Sequence, residues 1–527
     1  VSTIYNWEYV VNPDANDVNR PFIWQQKLKT SGDDTGFNPE FVFDEDVFVT
    51  AGNGDFLSHI WQRSLIVKLT FKADYLLWGA NPYGYHLSSL FLHLINAVLA
   101  MWVLKELLKP VVKYFTQFQL TVIPVIFFTL FLFTPVHSEP LCYILARGGL
   151  VVSLFCLLSV MFFLRSQQEN KILLGCSLLS FLLALFSYEI SWLLPLIILS
   201  ITVFLAYVKS EPFKKYIPVV VLYFLVFIAW FSIKVVFIDK LVVSDYNDGN
   251  LFKTGLLTLI KNNCVLFFRN FIPPFKNATV FAAVSAVFCL LLIFSFYKLF
   301  KQSKPQFYFL TLLLLITVLG FSSVTMLGID SHDSESERYI YFSSSFAIMV
   351  LAVLLTVLIK NRIMLIGIVL VLAGLYTVTL FKTINYYDTA GSFSKQYLAA
   401  LDKEVKNNDN VFIVNIPSQY EGALLFRAKS RLAGNTDNNV SILQEYLSYL
   451  NNKSNRCVTL STKVLYTVPT TVSVNKKSID SIASWFPEVI IDQQQLKISA
   501  GKNEAYPYIK SNIVVVALKD NVMYFFR

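Results

Sequence analysis

The residues of this 527-residue chain most able to do chemistry are ionisable groups in or beside apolar segments, where they are costly to keep. An acidic run, FVFDEDVF, contains Asp44 and Glu45. Histidines, carboxylates and arginines that border later apolar segments are His86, His93, His137, Glu139, Arg147, Glu189, Glu337 and Arg338. A carboxylate can take a proton from a hydroxyl, and a guanidinium can hold an anion. These groups are therefore the functional candidates.

Each candidate also has an ordinary explanation. An isolated acidic run is often a solvated loop, and Glu189 lies in a short connection where a solvated carboxylate is unremarkable. His86 and His93 are seven residues apart, so they share a helix face and can bond across helices. Arg147 and Arg338 can anchor to lipid headgroups. The set and its order along the chain therefore matter more than any one member.

The elements that must position these groups are apolar. Hydrophobic residues make up 55% of the chain, charged residues 15%, and the mean hydropathy is +0.55, which indicates lipid as the solvent. Apolar runs long enough to cross a bilayer lie near 86–107, 118–136, 148–164, 171–187, 190–208, 216–238, 278–297, 307–328, 340–359 and 363–382. The net charge of +9 is spread in small groups between these runs, so it indicates membrane topology and no nucleic-acid partner.

Lysine and arginine mark one alternate set of connections, which predicts that these face the cytoplasm. That set contains Lys105, Lys109, Lys113, Arg165, Lys171, Lys209, Lys214, Lys215, Lys298, Lys301, Lys304, Lys360 and Arg362. The candidate residues lie in the other set, which predicts that they face outward. Ten spans would leave both chain ends outside, so we expect a preceding span and eleven in the full protein.

The composition divides the chain into three parts. Residues 1–85 are expected to form an extracytoplasmic loop with the acidic motif and interfacial helices, and residues 86–382 a multi-span α-helical domain. Residues 383–527 are expected to form a small extracytoplasmic α/β or mainly β domain, beginning with a helix that leaves the membrane. Its predicted strands are VFIVNIP (411–417), CVTLSTKVLYTV (457–468) and NIVVVAL (512–518).

The order of the candidate residues resembles the GT-C superfamily of polyprenyl-phosphate-sugar-dependent glycosyltransferases. It is most similar to the protein O-mannosyltransferases and to the transmembrane O-mannosyltransferases that carry tetratricopeptide repeats. The matching segments are FVF followed by Asp44 and Glu45, Gly84 to Leu87 with His93, Pro135 to Glu139 followed by Arg147, Ser187 with Glu189, and Glu337 to Tyr341. The resemblance covers roughly residues 40–385, and two positions depart from it: Gly149, often Asp in the family, and Tyr188, often Lys.

The resemblance implies an inverting transfer of a mannose-like sugar from a polyprenyl phosphate to an acceptor hydroxyl on the extracytoplasmic face. Asp44 is then the base, with Glu45 as the alternative, and Arg338, helped by Arg147, holds the donor phosphate. The residues expected to orient the substrates are His86, His137, Glu139, Glu189 and Tyr339. No cofactor is required, although a divalent metal at the acidic loop stays open.

The expected partners are the polyprenyl-phosphate-linked sugar, the lipid bilayer, and an acceptor that is a protein, a lipid or a glycan. The expected location is a bacterial-type plasma membrane in preference to the endoplasmic reticulum. Transfer to a lipid or an envelope polysaccharide is the alternative within the same superfamily. A transporter or flippase would place its charges near the bilayer midplane, and a non-catalytic scaffold would have no cavity joining Asp44, His137 and Arg338.

Overall fold

The computed structural model describes residues 65–78, 82–167, 170–237, 255–329, 331, 334, 336–415, 419–421, 423–424, 456–460, 472–501, 505–520 and 522–527. Asp44 and Glu45 lie outside these residues, together with the rest of the chain up to residue 64.

Helices dominate the described chain because long apolar runs bury their backbone polar groups only by internal hydrogen bonding. They are α1 Leu65–Trp78, α2 Pro82–Leu108, α3 Gln117–Phe133, α4 Ser138–Cys142, α5 Gly148–Ser166, α6 Lys171–Leu185, α7 Leu194–Lys209, α8 Ile217–Phe237, α9 Leu256–Arg269, α10 Ala278–Gln302, α11 Lys304–Ser322, α12 Tyr341–Leu358, α13 Arg362–Glu404 and α14 Ile482–Trp485.

Every apolar run predicted from the sequence contains a helix. Among the described residues, eight helices are long and apolar enough to cross a membrane, by length and composition. The two remaining runs behave differently. Helix α3 ends at Phe133, and the chain bends by 52° into the segment Pro135–Cys142. Helix α3 and this segment count as a ninth span only if the two together are taken as one span. Helix α6 has 15 residues, which is short for a span.

The bend after α3 has a local cause. Pro135 follows Thr134 directly, and the ring of Pro135 leaves no backbone N–H for continuing the helix. The chain therefore turns through Pro135–His137, a short 3₁₀ segment, into α4. This break places the side chains of His137 and Glu139 beside the helix ends.

The bundle is built around α2, α5, α11 and α12, which pack against several neighbours each. Helix α12 lies at its centre, since most of its side chains are buried. Helices α8, α10 and the membrane part of α13 expose large apolar side chains such as Leu225, Leu290 and Leu370. Such side chains suit contact with lipid acyl chains. We use the term site end for the end of the bundle where α3 and α11 finish and α5, α7 and α12 begin.

Helix α13 continues well beyond the bilayer-length run, to Glu404, and leads into a C-terminal domain of short strands. The predicted boundary at residue 382 therefore falls inside one continuous helix. The strands are β1 Asn410–Ile413, β2 Gln419–Tyr420, β3 Ala423–Leu424, β4 Arg456–Thr459, β5 Ser473–Lys477, β6 Val489–Asp492, β7 Lys497–Ala500, β8 Tyr506–Pro507, β9 Ile513–Lys519 and β10 Val522–Phe526.

Five of these strands form one mixed sheet in the order β4, β1, β9, β10, β5. Strands β4, β1 and β9 run parallel, and β10 pairs antiparallel to β9 in the register Val522 to Lys519. The strands predicted at 411–417, 457–468 and 512–518 correspond to β1, β4 and β9. The sheet buries one face against the last turns of α13, where Phe393 and Tyr397 lie.

The C-terminal domain also contacts the site end of the bundle. Cys142 and Tyr143, which follow Glu139 closely in sequence, pack against the core that contains Tyr387 and the sheet. Lys276, after α9, forms an ion pair with Glu421 of the β2–β3 hairpin at 2.6 Å. The segment that carries Glu139 and the chain after α9 therefore both contact the C-terminal domain.

Candidate functional site

Short turns at the site end carry most of the residues singled out in the sequence. They are the segments Pro135–His137, Ser138–Cys142, Ile144–Arg147, Glu189–Leu193 and Glu337–Tyr339. All of these short segments lie in connections between long apolar helices, so their polar side chains lie near the helix ends. This arrangement brings residues that are 199 to 207 positions apart into contact.

The most direct such contact is an ion pair between Glu139 and Arg338. The Arg338 guanidinium donates from Nη1 to Glu139 Oε1, and the Arg338 backbone N–H donates to Glu139 Oε2 at 2.8 Å. The Glu139 side chain is 1% exposed, whereas that of Arg338 is 17% exposed. Glu139 therefore fixes the position of a guanidinium that can still be reached from outside the protein.

Two tyrosines line the remaining side of Arg338. The guanidinium lies 4.6 Å from the ring centroid of Tyr339 and donates to the Tyr339 hydroxyl at 3.2 Å. The Tyr339 ring stacks with Tyr188 at 6.0 Å between centroids. Tyr188, one of the two departures from the family pattern, is therefore part of this cluster. An aromatic face close to a guanidinium attracts the cation and helps to hold it in position.

Gly149, the other departure, is explained by a close approach of two backbones. A Cβ atom added to Gly149 would lie 2.6 Å from the Arg338 carbonyl oxygen. Any side chain at this position would push the Arg338 segment away from α5. The absence of a side chain therefore contributes to the position of Arg338.

A second buried ion pair supports the segment that carries Arg338. Glu337 accepts from Arg269 Nη2 at 2.6 Å and from the Ser138 hydroxyl at 2.8 Å, and both charged side chains are fully buried. Burial raises the pKa of the Glu337 carboxyl to about 7, while the nearby Arg269 charge and the Ser138 hydroxyl act in the opposite direction. Arg269 also donates to the Ile272 carbonyl oxygen at 3.0 Å, at the end of α9.

His137 is buried beneath these ion pairs, within a group of aromatic rings. Its Nδ1–H donates to the Phe131 carbonyl oxygen at 3.2 Å, so a neutral ring accepts at Nε2 from the Ser344 hydroxyl at 2.7 Å. The ring centroid lies 4.4 Å from that of Tyr341, whose hydroxyl forms a hydrogen bond with His93 Nδ1 at 2.7 Å. His137 has no exposed surface. It therefore supports the site from below and does not face a ligand directly.

Arg147 lies in a separate buried network. Its guanidinium pairs with Asp74 of α1 at 2.5 Å and donates to the Tyr85 carbonyl oxygen at 2.5 Å and the Ser89 hydroxyl at 3.1 Å. Its side chain is 0% exposed and lies 4.5 Å above the Phe71 ring. These contacts tie α1 to α2 and α5. They suit Arg147 to an anchoring role better than to the phosphate role expected from the sequence.

The remaining expected residues lie near the cluster. Glu189 is buried at the start of its short turn, next to Tyr188. His86 is half-buried, with Nδ1 3.3 Å from the carbonyl oxygen of Leu141 in α4. The structure therefore brings Glu139, Arg338 and Tyr339 together, with His137 beneath them. Asp44 and Glu45 lie outside the described residues, so their role stays a prediction.

Sequence reasoning did not single out Asp74 and Arg269. Each is a charge on an amphipathic helix, and such a charge usually faces water. The signal that could have found them is their apolar sequence neighbours: Asp74 lies within LTFKADYLLW, and Arg269 lies within VLFFRNF. A charge on the apolar face of an amphipathic helix needs a buried partner, and both residues have one.

The comparisons with known proteins give no likeness to add to this geometry. No family model, no curated protein and no solved structure matches this chain. Among the described residues, no group of three or more His, Cys, Asp or Glu side chains lies close enough to hold a metal ion.

Proposed function

We propose that this chain is an integral membrane glycosyltransferase of the GT-C type. It would move a mannose-like sugar from a polyprenyl phosphate to an acceptor hydroxyl on the extracytoplasmic face. The observation that supports this most is the partly exposed Arg338, held by the buried Glu139 at the ends of apolar helices. A lipid-linked sugar phosphate has its charged group at this depth, between acyl chains and water.

Arg338 supplies the positive charge that the reaction needs. As the acceptor oxygen bonds to the anomeric carbon, the bond from that carbon to the phosphate oxygen breaks, and its electron pair stays on the polyprenyl phosphate. A guanidinium binds phosphate oxygens in a bidentate fork and stabilises this negative charge. Arg147 and Arg269 are fully buried, so Arg338 is the best placed of these three arginines to meet the donor.

The acceptor proton goes to a carboxylate, which we assign to Asp44 with Glu45 as the alternative. The segment that follows them supports this assignment, because α1 enters the bundle at the site end. There the Ile66 backbone N–H donates to the Phe186 carbonyl oxygen at 3.2 Å, and Asp74 pairs with Arg147. A single displacement of this kind inverts the configuration at the anomeric carbon and requires no covalent intermediate.

The proposal has two versions, which differ in the class of acceptor. A protein acceptor follows from the resemblance to the O-mannosyltransferases, and a lipid or an envelope polysaccharide is the alternative. The C-terminal domain packs beside the segment that carries Glu139, and this contact does not distinguish the two acceptor classes.

The test uses the purified full chain in detergent, incubated with a panel of polyprenyl-phosphate sugars and with acceptor proteins, lipids or glycans. Release of polyprenyl phosphate and labelling of the acceptor are both measured. Asp44→Asn and Glu45→Gln are compared with the unaltered chain, and loss of the base should reduce turnover by about 10² to 10⁴. No release from any donor in the panel would contradict the proposal, and full activity of both variants would remove the assigned base.

A further inference from the structure

A cluster of two lysines and two aromatic rings lies on the C-terminal domain, and the proposed reaction does not use it. It consists of Lys477 of β5, Trp485 of α14, Lys519 of β9 and Tyr524 of β10. We call it the lysine–tryptophan cluster. Tyr524 belongs to the core on the sheet face opposite α13. The cluster is therefore separate from the contact between the sheet and α13.

The fold brings two ammonium groups to one indole ring. Ile482 is buried in the core above the sheet, which holds α14 there and places the Trp485 ring centroid 4.8 Å from that of Tyr524. Strands β5 and β9 flank β10, so Lys477 and Lys519 come from the strands on either side of Tyr524. Their Nζ atoms lie 4.4 Å and 4.6 Å from the Trp485 ring centroid. An aromatic ring attracts a cation, and this ring holds two.

Neither ammonium group of the cluster has a carboxylate partner. Among the residues that the structure describes, no carboxylate oxygen lies within 4.0 Å of the Nζ atom of Lys477 or Lys519. The neighbouring Lys476, by contrast, pairs with Glu404 at 2.8 Å. Lys477 and Lys519 are half-buried, so each keeps part of its side chain at the surface. Two adjacent positive charges without a counter-charge favour an anion from outside the chain.

The C-terminal domain as a whole carries charge of the same sign. Residues 405–527 contain 14 Lys and Arg residues against 9 Asp and Glu residues. Such an excess attracts anionic partners. A single surface ion pair is weak because water and salt screen it, so one small anion would be held loosely. A polymer that repeats its anionic group can meet both ammonium groups and the rest of the positive surface at once, and is therefore the better ligand.

The partly exposed Trp485 favours a sugar polymer over an acidic peptide. An indole at the surface offers an apolar face on which the C–H groups of a sugar ring can pack. A lysine ammonium is a compact charge with rotatable donors, so it can pair with either a sugar carboxylate or a sugar phosphate. The outward location that the sequence predicts for this domain would also place it among extracellular glycans.

We propose that the lysine–tryptophan cluster binds an anionic glycan, a polysaccharide that carries carboxylate or phosphate groups. The ammonium groups of Lys477 and Lys519 pair with its anions, and Trp485 contacts a sugar ring. The inference does not rest on the proposed sugar transfer, because it concerns binding to the C-terminal domain and needs no turnover.

The test measures binding of the purified full chain, in maltoside micelles, to immobilised polymers of similar length by biolayer interferometry. The probes are polygalacturonate, a phosphomannan, neutral dextran and polyglutamate. We expect one or both acidic glycans to bind about tenfold or more tightly than dextran and polyglutamate, and this binding to weaken as salt rises. The proposal would be overturned if neither acidic glycan binds, or if dextran or polyglutamate binds as tightly as they do.

Matched variants separate this site from general charge attraction. Lys477→Gln combined with Lys519→Gln should weaken binding of the acidic glycan about tenfold, whereas Lys477→Arg combined with Lys519→Arg should retain it. Trp485→Phe keeps an aromatic ring of smaller area and should weaken binding about threefold. The control combines Lys406→Gln with Lys510→Gln, which removes the same number of charges from exposed positions of the same domain.

Each single glutamine variant is measured as well, so that a folding defect in the double variant does not decide the result. If the Lys477 and Lys519 glutamine variants bind the acidic glycan as tightly as the control does, the cluster is not the site. Glycan binding without sugar transfer from any donor would leave this site standing and remove the proposed function. Sugar transfer by a chain that binds neither acidic glycan would do the reverse.

Discussion

Replacing Gly149 with alanine tests whether the position of Arg338 matters. The added Cβ would lie 2.6 Å from the Arg338 carbonyl oxygen, and real Cβ atoms essentially never approach closer than 3.0 Å. The two backbones must therefore move apart by at least about 0.4 Å. That shift would pull Arg338 against the two hydrogen bonds that Glu139 accepts from it.

The magnitude follows from two opposing effects. Alanine favours a helix over glycine by about 0.5–1 kcal/mol, and overpacking a tight contact costs about 1–3 kcal/mol. We therefore expect a net loss of up to about 2.5 kcal/mol in the free energy of unfolding. Because a misplacement of about 1 Å costs about 10² in rate, a shift of this size should slow sugar transfer about tenfold.

The assay is thermal unfolding of the purified chain in detergent, combined with release of polyprenyl phosphate. Gly374→Ala is the matched control, since nothing lies within 4 Å of a Cβ atom added there. The control should be as stable as the unaltered chain or slightly more stable, with full activity. If Gly149→Ala matches Gly374→Ala in both measurements, the close approach does not position Arg338.

Two further variants test neighbouring contacts. Asp74→Asn should destabilise the protein by about 3–5 kcal/mol in denaturation experiments, because it leaves the Arg147 charge buried without its partner. The control Glu106→Gln removes one partner of a more exposed ion pair and should cost about 1 kcal/mol or less. Similar losses of stability in the two variants would refute the anchoring role of Arg147. Tyr339→Phe keeps the ring beside Arg338 and removes its hydroxyl, so transfer should slow about three- to tenfold, with a loss of about 0.5–1.5 kcal/mol in stability. An unchanged rate would show that the reaction does not use this hydrogen bond.

The helices were predictable from the sequence because an apolar run of bilayer length has few other stable conformations in lipid. Each predicted run contains a helix. Two helices end before the predicted apolar runs do. Pro135 ends the helix after α3, and α6 ends at Leu185, before the connection that carries Tyr188.

The C-terminal strands were predictable only where they are buried and apolar. Strands β1 and β9 are continuous runs of buried side chains and were found. Strand β5 has the sequence SVNKK and is largely exposed, so it gives no hydrophobic signal. Its pairing with β10 is set by the tertiary fold, which local sequence patterns do not encode.

Several residues of the described cluster were singled out from the sequence, but the partners with which they pair were not. Glu139 and Arg338 were both singled out, yet nothing in the sequence indicated that they form an ion pair across 199 residues. The partners of Arg147 and Glu337 were missed for the same reason. A pattern of residue types shows which groups are costly to bury, whereas only the fold shows which of them neutralise each other.

The central claim is that Arg338 stabilises a departing phosphate, and the most direct test is the turnover rate of Arg338→Ala with polyprenyl-phosphate mannose. We expect the rate of polyprenyl phosphate release to fall by a factor of about 10² to 10³ in Arg338→Ala and to recover partly in Arg338→Lys. Arg165→Ala, which removes an exposed arginine paired with Glu106, should retain the full rate. A rate for Arg338→Ala equal to that of Arg165→Ala would contradict the account.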